Sequence, residues 1–209
     1  MKQVLCFGDS NTWGYNPVTH SRFPWGVRWT SILQEKLKTE TVHVIEEGLC
    51  GRTTVFDDNL REGRNGSKAL PFLLESHAPL DVVVLMLGTN DCKIQYHTDA
   101  KKIAKGVEKL IELIQSIQPQ AKILLLSPIH LGDQVYREEF DPEFDREGIQ
   151  VSYELKGEYE KLAQKYQLDF LAASDIATFS PADQEHMDEA NHALLAEEIY
   201  QKIKAYVVE

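Results

Sequence analysis

Apolar residues follow two rhythms along this chain. In the first they form short continuous runs: Val4 to Phe7, Val42 to Ile45, Val82 to Leu87, Ile123 to Leu126 and Leu168 to Leu171. Runs of this length, apolar on both sides of the pleat, predict strands buried on both faces of a sheet. In the second rhythm apolar residues recur every three or four positions. Trp25 to Lys38 carries Trp29, Ile32, Leu33 and Leu37 in this way, and Lys101 to Ile117 carries Ile103, Val107, Leu110, Ile114 and Ile117 on one stripe. Gly148 to Tyr166 reads as a helix, and so does Asp188 to Tyr206, where Leu195, Ile199 and Ile203 stand four apart. Ser67 to Ser76 also reads as a helix, with Pro71 suited to a first turn.

Strands and helices therefore alternate from end to end. That order predicts an α/β protein of three layers: a five-stranded parallel sheet with helices on both faces. Right-handed crossovers leave few ways to connect it, and a flavodoxin-like strand order is favoured. The 209 residues suit a single domain spanning positions 1–209.

Composition narrows the function. Hydrophobic residues make up 43% and charged residues 26%, the balance of a soluble globular protein. Each apolar run falls far short of the roughly 18 residues that span a bilayer. The opening MKQVLCFGDS has too short an apolar stretch for a signal peptide, so a cytoplasmic protein with no membrane partner is expected. Three cysteines, Cys6, Cys50 and Cys92, show no metal-binding spacing and read as reduced thiols. The net charge of −11 repels polyanions at long range, which argues against a nucleic-acid partner. The acidic stretch Arg137 to Glu147 reads as a solvated loop, with a lid over a substrate as the alternative.

In a sheet of this kind, ligands sit beyond the C-terminal ends of the strands. The first strand is followed by Gly8-Asp9-Ser10-Asn11-Thr12-Trp13-Gly14. A serine there presents its hydroxyl and its own N–H to the crevice, although Asp9 or Ser10 also reads as a simple turn cap. The second strand is followed by Gly48-Leu49-Cys50-Gly51-Arg52, where a free N–H at Gly51 is a candidate donor and a flexible turn is the plain alternative. The third is followed by Gly88-Thr89-Asn90-Asp91, in which Asn90 offers a neutral amide and Asp91 a cap.

After the last strand the stretch SPADQEHMDEANH holds two histidines. With Asp188 as N-cap of the final helix, His192 lies one turn inside it and His186 lies in the loop before it. Asp183 can then bond the far ring nitrogen of His186 and fix its tautomer, so Asp183 and His186 are the favoured pair over Glu189 and His192.

These blocks, CFGDSNTWGYNP, VIEEGLCGRTT, MLGTND and DQEHMDEANH, resemble the SGNH hydrolases, or GDSL esterase/lipase superfamily. They look closest to its bacterial arylesterase and acyltransferase branch. The resemblance implies a serine esterase acting on small carboxylic esters, with short acyl or aryl groups, through an acyl-enzyme. Acyl transfer to alcohols is a second outcome of the same chemistry. It implies Ser10 as nucleophile, His186 as base and Asp183 as its acid. An oxyanion hole would come from Ser10, Gly51 and Asn90. His192 falls on a second histidine that is not catalytic. No cofactor or metal is implied, and a homo-oligomer is. Asn11, Trp13 and Trp25, with Tyr15 and Phe23, are the expected lining of an acyl or aryl pocket. Glu185 departs from the family pattern, and a carboxylate beside the base is expected to raise the His186 pKa.

Other readings keep the same residues. A carbohydrate or natural-product O-deacetylase would use this triad behind a more open, polar cleft. A metal-dependent phosphoesterase would need a second His and Asp cluster that the sequence lacks. A non-catalytic flavodoxin-like module would leave the serine, histidine and donor set unexplained.

Overall fold

A computed structural model describes residues 1–37 and 41–207. Its elements in chain order are β1 (Lys2–Gly8), α1 (Ser10–Trp13), β2 (Tyr15–Asn16), β3 (Ser21–Arg22), α2 (Trp29–Leu37), β4 (Val42–Gly48) and α3 (Gly66–Ser76). They continue with β5 (Val82–Met86), α4 (Ala100–Ile117), β6 (Lys122–Ser127), α5 (Arg146–Tyr166), β7 (Asp169–Ala172) and α6 (Glu189–Val207). Five strands form one sheet in the order β4-β1-β5-β6-β7, all parallel. This is the flavodoxin-like order expected from the alternation of elements.

Each apolar run sits where burial on both faces requires it. Val82, Val83 and Leu85 of β5 are fully buried. One face of the sheet, with Leu5, Phe7, Val83 and Leu85, packs on α3, α4 and α5 through Leu74, Ile103, Val107, Leu110 and Leu155. The other face, with Val4, Cys6, Val82 and Val84, packs on α2 and α6 through Trp29, Leu33, Leu195 and Ile199. Alternate residues of one strand thus feed opposite cores, as the pleat dictates. Among the described residues no helix is long and apolar enough to cross a membrane.

The helix boundaries differ from the sequence pattern by one residue in α4 and at each end of α6, and more informatively in α2, α3 and α5. Helix α2 starts at Trp29, not Trp25, because Pro24 and Gly26 (φ +85°) turn the chain first. Lys38, the expected end of that helix, lies outside the described residues. Helix α3 starts at Gly66, capped by Asn65 through Ser67 N, so Pro71 falls beyond the first turn and inside the helix. The buried face of Leu70 and Leu74 holds the helix together across the lost bond. Helix α5 begins at Arg146 behind the cap Asp145, so the acidic stretch is part loop and part first turn. The hairpin β2–β3 has no counterpart in the sequence pattern; strands of two residues carry no periodic signal.

Candidate active site

The C-terminal ends of β1, β4 and β5 and the loop before α6 meet around one cleft of about 280 Å³. Its walls include Ser10, Tyr15, Gly51, Arg61, Asn90, Lys93, Phe140, Asp183, Glu185 and His186. The five residues expected to perform chemistry therefore share one cavity, although they come from four separate segments.

Ser10 opens α1, a single turn capped by Asp9, whose Oδ1 accepts from Asn11 N at 3.0 Å. The turn leaves β1 tightly. Gly8 faces Thr12 so closely that an added Cβ would collide with Thr12 Oγ1. Gly48, at the end of β4, packs under the same turn, where a Cβ would run into the backbone of Trp13. Two strand ends thus fix the height of Ser10 above the sheet.

Ser10 Oγ lies 2.8 Å from His186 Nε2, and His186 Nδ1 lies 2.6 Å from Asp183 Oδ2. A carboxylate can only accept, so Nδ1 carries the hydrogen and Nε2 is left to take the Ser10 proton. Asp183 also accepts the backbone N–H of Glu185 and of His186, each at 3.0 Å, which fixes the loop that carries the imidazole. The Tyr15 ring, from β2, packs against the imidazole with centroids 4.3 Å apart.

Burial of His186 works against its charged form, but Glu185 and then Asp183 and Asp9 outweigh it, and the pKa is raised above the ordinary value. This is the direction the sequence implied for a carboxylate at position 185. Asp183 is half-buried, which works to raise its pKa, yet its bonds from His186 hold it below the usual carboxylate value. Burial pushes Asp9 up to about 6, against the bond from Asn11.

Three candidate donors belong to residues that line the same cleft. The N–H groups of Ser10 and Gly51 have no acceptor among the described residues. Asn90 Nδ2 donates to Arg52 O at 3.2 Å, which leaves its second hydrogen free. The loops that carry these donors are tied to one another. Asp91, buried after β5, accepts from Thr54 N with both oxygens at 3.0 and 3.1 Å and from Thr54 Oγ1. Burial raises Asp91 to about 7 despite these bonds. Arg52 donates to Gly8 O at 2.9 Å and to Glu47 O, joining the ends of β1 and β4. Lys93 is buried and reaches Asp141 at 3.2 Å and also Glu143, which holds the strap of residues 139–141 against the cleft. Glu139, Phe140 and Asp141 line the cleft, so part of the acidic stretch is a wall of the site.

The expected pocket lining of Asn11, Trp13 and Trp25 needs correction; none of the three lines the cleft. Asn11 is 3% exposed and its side chain is committed. Its Nδ2 donates to Glu185 O at 3.3 Å and its Oδ1 accepts from Met187 N at 3.0 Å. The residue after the serine therefore grips both neighbours of His186. Trp13 packs beneath the Arg22 guanidinium, 5.5 Å away. Trp25 is 55% exposed beside Arg28. Phe23 is buried edge-on against His192, so of the aromatics near the first loop Tyr15 faces the cleft.

His192 is a structural group. It is fully buried in α6, and its Nδ1 accepts from Trp29 N, the first residue of α2, at 3.3 Å. Burial lowers its pKa to about 3. Because the folded value lies below the unfolded one, its contribution is present above pH 6.5 and is lost as pH falls toward 3. Between pH 7 and pH 5 this one group should cost about 2 kcal/mol of stability. His192→Ala should keep most hydrolytic activity, melt lower at pH 7, and lose stability less steeply on acidification than wild type. Thermal melts of both proteins across pH 5 to 8, with an esterase assay at each pH, measure this.

Sequence reading missed the ties made by Asp91, which it read only as a cap, and assigned no role to Arg52 or Lys93. Only their position beside charged or polar residues hinted at them, since their bonds join segments 37 to 50 positions apart.

Comparison with known proteins bears on this site. The GDSL-like Lipase/Acylhydrolase family model matches residues 6–194. A carbohydrate acetylesterase from Sinorhizobium meliloti, Est24, is 36% identical over 98% of this chain and 99% of its own, with a TM-score of 0.90. The native aryl esterase of M. smegmatis is 33% identical over 99% of this chain and 100% of its own, also at 0.90. Rat platelet-activating factor acetylhydrolase IB subunit alpha2 is 32% identical over 93 residues. That match spans 44% of this chain and 35% of the relative, about a third of its length.

Proposed function

The chain belongs to the GDSL-like lipase/acylhydrolase family, and from that premise we propose that it is a serine esterase acting on small carboxylic esters. The observation that carries the reading is the unbroken line from Asp183 through His186 to Ser10, at 2.6 and 2.8 Å, inside a cleft that also holds free N–H donors.

The mechanism follows from where each proton can go. Ser10 Oγ attacks the ester carbonyl carbon as its hydrogen passes to His186 Nε2. Negative charge then builds on the carbonyl oxygen, which the N–H groups of Ser10 and Gly51 and the Asn90 amide receive. Each such donor is worth roughly 10²–10³ in rate. Asp183 stabilises the imidazolium without taking its proton. The imidazolium gives that proton to the leaving alcohol, and the acyl group stays on Ser10. Water, or a second alcohol, repeats the sequence in reverse and frees the acid or a new ester.

The cleft favours one kind of ester over another. Arg61, Lys93, Glu139, Asp141, Asp183 and Glu185 stand in its wall, and a long apolar chain would desolvate several of them without replacing their bonds. A short acyl group on a polar, hydroxyl-bearing carrier fits better, in keeping with the carbohydrate acetylesterase among the similar structures. Acetylated xylose and phenyl acetate should both be hydrolysed, and p-nitrophenyl palmitate should be turned over at least 100-fold less efficiently than the acetate. Comparable kcat/KM for the palmitate and the acetate would overturn the short-acyl reading. The three cysteines are unpaired, which fits a reducing compartment, and we place the protein in the cytoplasm.

A further inference from the structure

Glu185 sits immediately before the catalytic histidine and is 6% exposed. Its backbone is held from both sides: its N–H donates to Asp183 Oδ1 at 3.0 Å, and its carbonyl accepts from Asn11 Nδ2 at 3.3 Å. Its carboxylate, in contrast, accepts no hydrogen bond from any described residue. The closest ionisable nitrogen is His186 Nε2, 3.8 Å from Oε1 and beyond bonding range. Lys93 gives its ammonium to Asp141 and Glu143 instead. The side chain is therefore largely buried and fixed at its root, while its carboxylate has no protein donor and keeps contact with the cleft beside Ser10.

An arrangement of this kind is costly. A carboxylate recessed in a cleft with no protein donor gives up part of its hydration, and folded proteins keep few such groups. The position explains the retention. His186 Nε2 must come within about 3 Å of the leaving alcohol oxygen to protonate it. Glu185 Oε1 lies 3.8 Å from that same nitrogen, close enough to flank an alcohol oxygen bound there. A donor one hydrogen-bond length, about 3 Å, from the ester oxygen would reach it. A hydroxyl on the carbon next to the one bearing the ester meets that distance. The acyl half points elsewhere, because its carbonyl oxygen is turned toward Ser10, Gly51 and Asn90.

We propose that the Glu185 carboxylate accepts a hydrogen bond from a hydroxyl group vicinal to the ester oxygen, on the alcohol half of the substrate. The enzyme is thereby selective for monoesters of 1,2-diols, the arrangement found in sugars and polyols. The assignment rests on the reading of Ser10 and His186 as nucleophile and base. It adds a specificity determinant on the leaving-group side.

The test compares 2-hydroxyethyl acetate with 2-methoxyethyl acetate, which differ in the donor hydrogen. Wild type should favour the hydroxy ester in kcat/KM by about tenfold or more, the value of one hydrogen bond to a charged acceptor. In Glu185→Leu, which removes the acceptor, the ratio should fall to near one. A ratio is unaffected by how much of a variant folds, so a weakened protein still gives an answer. A wild-type ratio near one, as expected if Glu185 only holds the attacking water, overturns the assignment. So does a preference that survives in Glu185→Leu. Turnover of both esters at equal rates sinks this inference alone. No turnover of either ester, with no labelling of Ser10 by a fluorophosphonate, sinks the esterase reading with it.

Discussion

Ser10→Ala should lower kcat/KM for p-nitrophenyl acetate by roughly 10⁴-fold or more, to the level left by substrate binding and oxyanion donors. Its melting temperature should stay within a few degrees of wild type. The hydroxyl is a small group on a one-turn helix held by Asp9, Gly8 and Gly48, none of which depends on it. His186→Ala should cost about as much, because nucleophile and base act as a unit and losing either removes the same step. The pair of variants is informative together with His192→Ala. If His192→Ala is the inactive protein and His186→Ala works, the assignment of the base is wrong.

Asp183→Asn should be the second large effect, a fall of about 10⁴ in kcat with little change in fold. An amide at this position can offer its N–H₂ to Nδ1, which turns the ring to the tautomer that protonates Nε2. The ring then has no lone pair for the Ser10 proton. The pH profile supplies a separate check. The base works when deprotonated, so the acid limb of kcat/KM in wild type should have its midpoint above 6.5, the direction in which Glu185 and Asp183 move His186 against burial. Removing Asp183 or Glu185 should move that midpoint down. The stability linked to the same group runs with the opposite sign. A raised folded pKa stabilises below pH 6.5, and that contribution is lost as pH rises through the folded value. A wild-type acid limb centred below 6.5 would refute this account of the site's charges.

The sheet is readable because its strands are buried on both faces, and such strands must be uninterrupted runs of apolar residues; Val82 to Leu87 has no other sensible reading. Helix ends are less readable. Trp29 to Leu37 follows a helical pattern that extends back to Trp25, and what stops it is a backbone turn at Gly26, not a change in hydrophobicity. The segments of the site are readable because the fold puts functional groups after strands, so inspecting four short segments suffices to propose Ser10, Gly51, Asn90, Asp183 and His186. The pocket lining is not. Asn11 neighbours the serine and so suggests a lining residue, but the fold commits its amide to Glu185 and Met187. Trp25 looks like an aromatic wall in the sequence and faces solvent in the fold. Which face a loop side chain takes depends on segments far away in sequence, and no local rhythm records it. Asp91 illustrates this point. In the sequence it reads as a cap, and its bond to Thr54 forms only when two strand ends stand side by side.

The hydroxyl and the imidazole that share one proton lie 176 positions apart, nearly at opposite ends of the chain. Closing so long a loop costs entropy that local contacts do not repay. Turnover therefore reports only on the finished molecule. A partly collapsed chain can own most of its sheet and still be chemically silent until the loop before α6 comes to rest beside Ser10.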